Sequence, residues 1–280
     1  MKEINAKKIS DVVELLSIEA NYNLPEDILK KIKSSLKTEK SPIGKEILEN
    51  IIKNAEMAKE QGVPICQDTG LAVVFVEIGQ DVHIVNGSIE DAINEGVRRG
   101  YYRGFLRKSV VGDPIMRKNT GDNTPAIIHY SIAEGDKLSI TIAPKGAGSE
   151  NMSTLKMLKP SDGIEGIKRF VIESVEAAGP NACPPLIVGV GIGGNFEYAP
   201  LLAKKALLRP VGRKNGDEET SKLEEELLDK INNLGIGPQG LGGTTTALSV
   251  NIEKYPTHIA CLPVAVNIGC HVTRHANAVL

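Results

Sequence analysis

A chain of 280 residues, 41% hydrophobic and 24% charged, is long enough for a large core and has the balance of an ordinary soluble protein. Its net charge of −2, from 33 basic and 35 acidic residues, offers no excess of cations for a phosphate backbone, and 4% aromatic content with no Trp leaves few platforms for stacking bases, which excludes nucleic acid as the expected partner. No apolar run reaches the length of a membrane span, and residues 1–21 hold neither an uninterrupted apolar stretch nor a small-residue cleavage site, so the expected compartment is the cytoplasm, with no membrane partner.

Apolar residues spaced three and four apart predict short helices over 11–20 and 25–38. A longer one is predicted over 41–61, with Ser41 at its N-cap and Ile47, Ile51, Ile52 and Ala55 on one face. Residues 1–61 thus form a helical N-terminal part of what is expected to be one domain, 1–280. Gly62 and Pro64 turn the chain into Ile65-Cys66-Gln67-Asp68-Thr69-Gly70, and strands are predicted over 71–78 and 83–85. A helix over 89–106 precedes a polar loop, 112–125, that contains Asn119-Thr120-Gly121-Asp122-Asn123. Two β-rich runs follow, 126–133 and 137–143, and their Glu134-Gly135-Asp136 connection predicts a hairpin. Pro144 opens a glycine-rich turn, Lys145-Gly146-Ala147-Gly148-Ser149-Glu150-Asn151. Beyond it are a helix over 164–178, a loop around Cys183, a strand over 186–190 and a helix over 197–208. A charged helix over 216–234, with leucines at helical spacing, reads as a solvated surface helix. The glycine-rich loop 235–243 leads into strands over 245–252 and 258–262. This irregular alternation predicts an α/β (α+β) fold, a mixed sheet surrounded by helices.

Cys66, Cys183 and Cys270 each sit in a turn beside Pro or Gly, where backbone can aim a thiolate outward. Cys261 lies in the apolar run Ile259-Ala260-Cys261-Leu262 and reads as core. Three thiolates make an incomplete set for a four-iron cluster, which would leave one iron open to a substrate. Cys270, His271 and His275 could instead belong to a zinc site, although no paired C-x2-C supports one. Gly189-Val190-Gly191-Ile192-Gly193-Gly194 matches a dinucleotide fingerprint, but no βα unit precedes it and no strand-end acid follows, so it reads as tight turns. Polar groups gather near the loop cysteines: Gln67 and Asp68 beside Cys66, and His258, His271, Arg274 and His275 around Cys270.

Six segments, taken in order, resemble class I fumarate hydratases. They are 64–70, the Asn119-Thr120-Gly121 loop, 145–151, Asn181-Ala182-Cys183-Pro184-Pro185, Gly235-Ile236-Gly237-Pro238-Gln239-Gly240, and Gly269-Cys270. The resemblance covers roughly residues 40–280. It implies the N-terminal domain fold of an iron–sulfur hydro-lyase, and reversible hydration of fumarate to (S)-malate. It further implies a [4Fe-4S] cluster held by Cys66, Cys183 and Cys270. Gln67, Arg107 and Gly148 would bind the dicarboxylate substrate, and Asp68 and His258 would be catalytic. Single-chain relatives are about twice as long, so this chain resembles the α member of a pair that needs a β subunit, with α2β2 the expected assembly. The L(+)-tartrate dehydratase α subunit is the closest alternative, and a non-catalytic metal-binding subunit is the alternative from another class.

Overall fold

In the computed structural model, which describes residues 1–280, the helical spacing of the N-terminal part becomes three helices behind a short strand. The elements in chain order are β1 (Lys2–Asn5), α1 (Ala6–Tyr22), α2 (Glu26–Thr38), α3 (Pro42–Gln61), β2 (Leu71–Gly79), β3 (Val82–Val85), α4 (Ile89–Arg103), β4 (Ile127–Ala133) and β5 (Leu138–Lys145). Then come the single turn α5 (Ala147–Glu150), β6 (Thr154–Leu158), α6 (Gly163–Ala178), β7 (Leu186–Gly194), α7 (Tyr198–Ala206), α8 (Glu218–Asn232), β8 (Ala247–Thr257), β9 (Leu262–Gly269) and β10 (Ala276–Val279). Helices and mixed sheets together make the α/β fold expected from the sequence. The chain divides into two units: Met1–Leu24, Ala55–Ala147 and Arg274–Leu280 form the first, and Pro25–Asn54 and Gly148–Thr273 the second.

The first unit is built on a four-stranded sheet of order β10-β5-β2-β4, with a two-stranded β1-β3 ribbon. Residues of β5 alternate between buried and half-buried, the period-two pattern of a strand with one face on a core. That core joins Val74 and Val76 of β2 and Leu138, Ile140 and Ile142 of β5 to Ile9, Val13 and Leu16 of α1 and Ile93, Val97 and Tyr101 of α4. The two helices cross closely: a Cβ on Gly96 or Gly100 would lie 2.5 Å from the Cβ of Val13 or 2.7 Å from that of Ser17.

The expected hairpin does not form. β4 and β5 do not pair with each other; β2 lies between them, parallel to β4 and antiparallel to β5. The Glu134-Gly135-Asp136 turn passes over the end of β2 instead, where Gly79 N–H donates to Lys137 O (2.8 Å) and Asp81 N–H to Gly135 O (2.9 Å). β2 is buried over most of its length whereas β4 is mostly half-exposed or exposed, so the more apolar strand takes the centre and the more polar one the edge.

The second unit carries a sheet of order β6-β9-β7-β8, with β7 parallel to β8 and antiparallel to β9. β7 is buried along nearly its whole length, as a central strand with helices on both faces must be. Leu186, Val188, Val190 and Ile192 join the core of α6 and α8, which includes Phe170, Val171, Val175, Leu227 and Ile231. Leu227 and Ile231 are fully buried, so the charged helix 216–234 has one solvated face and one core face. The intervening Gly189 and Gly191 face α7: a Cβ there would stand 2.2 Å from Ala203 O or 2.0 Å from Ala199 O. The first half of the G-x-G-x-x-G match is therefore strand, not turn, and its glycines admit a helix backbone. Gly193 and Gly194 do adopt positive φ, at the strand end.

The predicted strand over 258–262 is instead the β8–β9 turn. Cys261 N–H donates to His258 O (2.8 Å), and Ile259 is 91% exposed. Cys261 accordingly is half-buried rather than core, and it lines an apolar groove of about 390 Å³ with Ile164, Ile167, Ile192 and Leu223. The apolar run that suggested a strand interior is a turn with its largest side chain in solvent.

Candidate active site

In the first unit the Cys66–Gly70 loop follows α3 and leads into β2, and side chains from three other segments fasten its backbone. Arg274, 3% exposed, donates from Nη2 to Asp68 O (2.7 Å) and from Nε to Asn21 Oδ1 (3.2 Å). The hydroxyl of buried Tyr101 stands 2.9 Å from Thr69 O and 3.0 Å from Gly70 O, and Asn123 Nδ2 donates to Gly70 O (3.2 Å). Three consecutive carbonyls are thus satisfied by three side chains distant in sequence, which fixes how Cys66, Gln67 and Asp68 are presented. Burial pushes the Tyr101 phenol well above its ordinary pKa, so it remains a proton donor.

Asp68 is oriented on both sides. Its Oδ1 accepts from Gly70 N–H (3.0 Å) and its Oδ2 from Ala147 N–H (2.8 Å). Cys66 Sγ lies 3.4 Å from Gln67 Oε1. Arg107 joins this group through Thr69, whose Oγ1 accepts from Arg107 N–H (2.9 Å) and donates to Arg107 O (3.1 Å), while the Arg107 side chain is exposed. The first unit therefore brings together Cys66, Gln67, Asp68 and Arg107, which lie as far as 41 positions apart in sequence (107 − 66).

Removing the Tyr101 hydroxyl tests this cradle. Tyr101→Phe keeps the ring in its core position but removes the one hydroxyl proton shared by Thr69 O and Gly70 O, of which Gly70 O keeps Asn123 Nδ2, at a cost of about 1–2 kcal/mol. The expected result is a lower urea midpoint together with faster amide exchange across 66–70; unchanged exchange there would show that the hydroxyl does not hold the loop.

In the second unit Cys183 and Cys270 are brought together. Cys183 is exposed, in the left-handed region (φ 54°) at the end of a single 3-10 turn, Gly179–Ala182. Cys270 directly follows β9 and is half-buried. His271 N–H donates to Cys183 O (3.3 Å), so the two cysteine-bearing loops touch through backbone. Gly148 also lies here, its Cβ direction pointing toward Asn181 O at 3.7 Å. The turn that carries it is tied down by Glu150, which pairs with Lys204 Nζ (2.5 Å) and accepts from Asn267 Nδ2 (2.9 Å). Ser153 Oγ accepts from Asn267 Nδ2 (2.9 Å) and Ile268 N–H (3.1 Å), three and two residues ahead of Cys270.

His258 is placed elsewhere. It is exposed in the β8–β9 turn, with Nδ1 accepting from Ala260 N–H (3.1 Å). The eight residues of β9 separate it from Cys270, about 26 Å of extended chain. Twelve positions in sequence (270 − 258) therefore do not make His258 and Cys270 neighbours within this unit.

The donor chemistry suits a group held by thiolates. None of the four cysteines is in a disulfide, and those of the two touching loops are reachable from solvent. Tyr101 and Asn21, which order the first loop, carried no sequence signal: one belongs to an ordinary helix face and the other ends α1. Asn123 and Arg274 did lie in polar runs beside the recognised segments.

Comparison with known proteins gives a consistent picture. The family model described as fumarate hydratase (Fumerase) matches residues 10–279. A Methanocaldococcus jannaschii chain provisionally named L(+)-tartrate dehydratase subunit alpha is 49% identical over 275 residues, covering 96% of each chain. The L(+)-tartrate dehydratase subunit alpha of Escherichia coli K12 is 33% identical over 276 residues, covering 98% of this chain and 91% of its own.

Proposed function

Because the chain belongs to the fumarate hydratase (Fumerase) family, we propose that it is the α subunit of an iron–sulfur hydro-lyase that interconverts fumarate and (S)-malate. The observation that carries this reading is the bond from His271 N–H to Cys183 O, which joins the Cys183 and Cys270 loops in the second unit, within a family match that spans nearly the whole chain. Cys66, Cys183 and Cys270 are the residues that would hold a [4Fe-4S] cluster. When bound, such a cluster supplies a Lewis-acidic iron with no protein ligand, which makes hydroxide a better leaving group.

The chain's own residues do the rest. Arg107 presents an exposed guanidinium, whose planar fork suits bidentate binding of a substrate carboxylate. The Gly148 N–H and the Gln67 amide are the further proposed donors to a substrate carboxylate. Asp68 is the proposed proton-transfer group. Each of its oxygens accepts one backbone N–H and keeps a further lone pair, so the carboxylate is oriented without being consumed. The names of the relatives, alpha subunits, support a β partner that completes the site, in an α2β2 assembly.

A second reading has a specific observation behind it: both relatives described above carry the name of a tartrate dehydratase subunit, one of them provisionally. Tartrate differs from malate by one added hydroxyl, and a site built to hydrogen-bond that hydroxyl discriminates strongly against a substrate lacking it. The test is turnover of malate, fumarate and L(+)-tartrate by the anaerobically purified chain, with and without its β partner. Expected is malate–fumarate interconversion with the partner and little without it. Full activity from this chain alone sinks the two-subunit proposal; turnover of tartrate but not malate moves the assignment to the second reading.

A further inference from the structure

Gln239 and His271 form a latch over Cys183 that the proposed chemistry does not use. Pro184 and Pro185 follow Cys183 and have no N–H groups, so this stretch offers only its carbonyls to a neighbouring loop. Both nearest carbonyls are gripped. Pro184 O accepts from the backbone N–H of Gln239 (2.8 Å) and from its side-chain Nε2 (2.8 Å). Cys183 O accepts from the backbone N–H of His271 (3.3 Å) and stands 3.0 Å from its ring Nδ1.

Nδ1 of His271 stands between two partners, Cys183 O, which can only accept, and Gln239 Nε2 (3.1 Å), which can only donate; the ring tautomer selects which of the two bonds it makes. Gln239 Nε2 carries two hydrogens, so it can serve Pro184 O and Nδ1 together. The loop that supplies Gln239 is itself seated on the cysteine loop. A Cβ on Gly240 would lie 2.3 Å from the Pro180 Cβ, and Gln239 takes a left-handed φ of 53° to reach inward. On the other side Thr273 holds Cys270 O with both its N–H (2.9 Å) and its hydroxyl (2.8 Å).

We propose that Gln239 and His271 are positioning residues that lock the Cys183 loop to the Cys270 loop in the cluster-free chain, so that two thiolates stand ready before an iron–sulfur cluster arrives. The inference rests on the iron–sulfur reading above, and the experiment separates the two. The cluster-free full chain is compared with Gln239→Leu, which removes the side-chain donor, and with His271→Ala and His271→Asn. Asparagine places an amide, which can donate or accept, where Nδ1 was and should restore the bond.

Amide exchange at Cys183 and over 270–273 is expected to quicken roughly tenfold in Gln239→Leu and His271→Ala, the factor that corresponds to about 1.4 kcal/mol. Strand β7 should exchange as in the parent, and His271→Asn should stay close to the parent throughout. After anaerobic reconstitution, iron release to a chelator should quicken by a similar factor in the same two variants. Unchanged exchange in both loops overturns the latch. Faster exchange in a chain whose parent form takes up no iron and sulfide overturns the iron–sulfur reading, and with it the purpose given to the latch.

Discussion

Replacing Glu39 by glutamine is expected to lower the unfolding free energy of the second unit by about 3 kcal/mol at neutral pH. Glu39 lies between α2 and α3 and is 2% exposed. Its Oε1 accepts from the N–H groups of Lys40 (2.8 Å), Ser41 (2.9 Å) and Thr244 (2.9 Å), and its Oε2 from Thr245 N–H (2.8 Å). One carboxylate thus ties the start of α3 to the segment entering β8. Burial opposes its ionisation, but the N–H groups of Ser41 and Thr244 and the other donors outweigh that, and hold its pKa down at about 2 against an ordinary 4.5. Glutamine turns one acceptor into a donor facing donors.

The sign of the pH effect follows from the depressed pKa. The stabilisation is complete above about 4.5 and is lost as pH falls toward about 2. Urea unfolding of the parent and Glu39→Gln should therefore show a wide gap in midpoint at pH 7 and a narrower one near pH 3. Coincident midpoints at pH 7 would remove Glu39 from any such role.

Glu39 also marks where sequence stops being legible. An acid between two helices, just ahead of Ser41, reads as an ordinary capping region, because its decisive partners, Thr244 and Thr245, are 205 and 206 positions away. Long-range hydrogen bonds leave no local period. Local periods were readable: the helices over 11–20, 25–38 and 164–178 and the strand over 71–78 stand within a few residues of where their spacing placed them. The order of strands in a sheet was not. A turn composition such as Glu134-Gly135-Asp136 says that the chain reverses, but not that β2 will occupy the gap. Cys261 misled for a related reason, since three apolar neighbours resemble a strand whether or not a sheet accepts them. The cysteine contexts fared otherwise. The glycines and prolines around Cys183 and in the 237–240 loop answer to close backbone approach and to missing donors, and such constraints are written locally.

Serine in place of Cys183 or Cys270 is expected to reduce both bound iron and hydro-lyase activity by roughly a hundredfold or more, with Cys261→Ser as the unaffected control. Losing a partner that merely orients a ligand costs about 10–100-fold in metal affinity, so losing the ligand should cost at least the upper end of that range. Serine keeps the size of the side chain but not its chemistry, for a hydroxyl does not supply the soft anionic donor that iron–sulfur clusters take from cysteine. The fold should survive, because Cys183 is exposed and Cys270 half-buried, and because the backbone carbonyls of Cys183 and Cys270, which serine keeps, accept the bonds from His271 and Thr273. Unfolding midpoints near the parent value, together with colourless protein after anaerobic reconstitution, is thus the expected pair of results. Cys261 sits in the β8–β9 turn, at the opposite end of β9 from Cys270, and should not matter to iron. Iron retained in full by Cys183→Ser, or lost equally by Cys261→Ser, would mean that the touching cysteine loops serve the fold and not a cofactor.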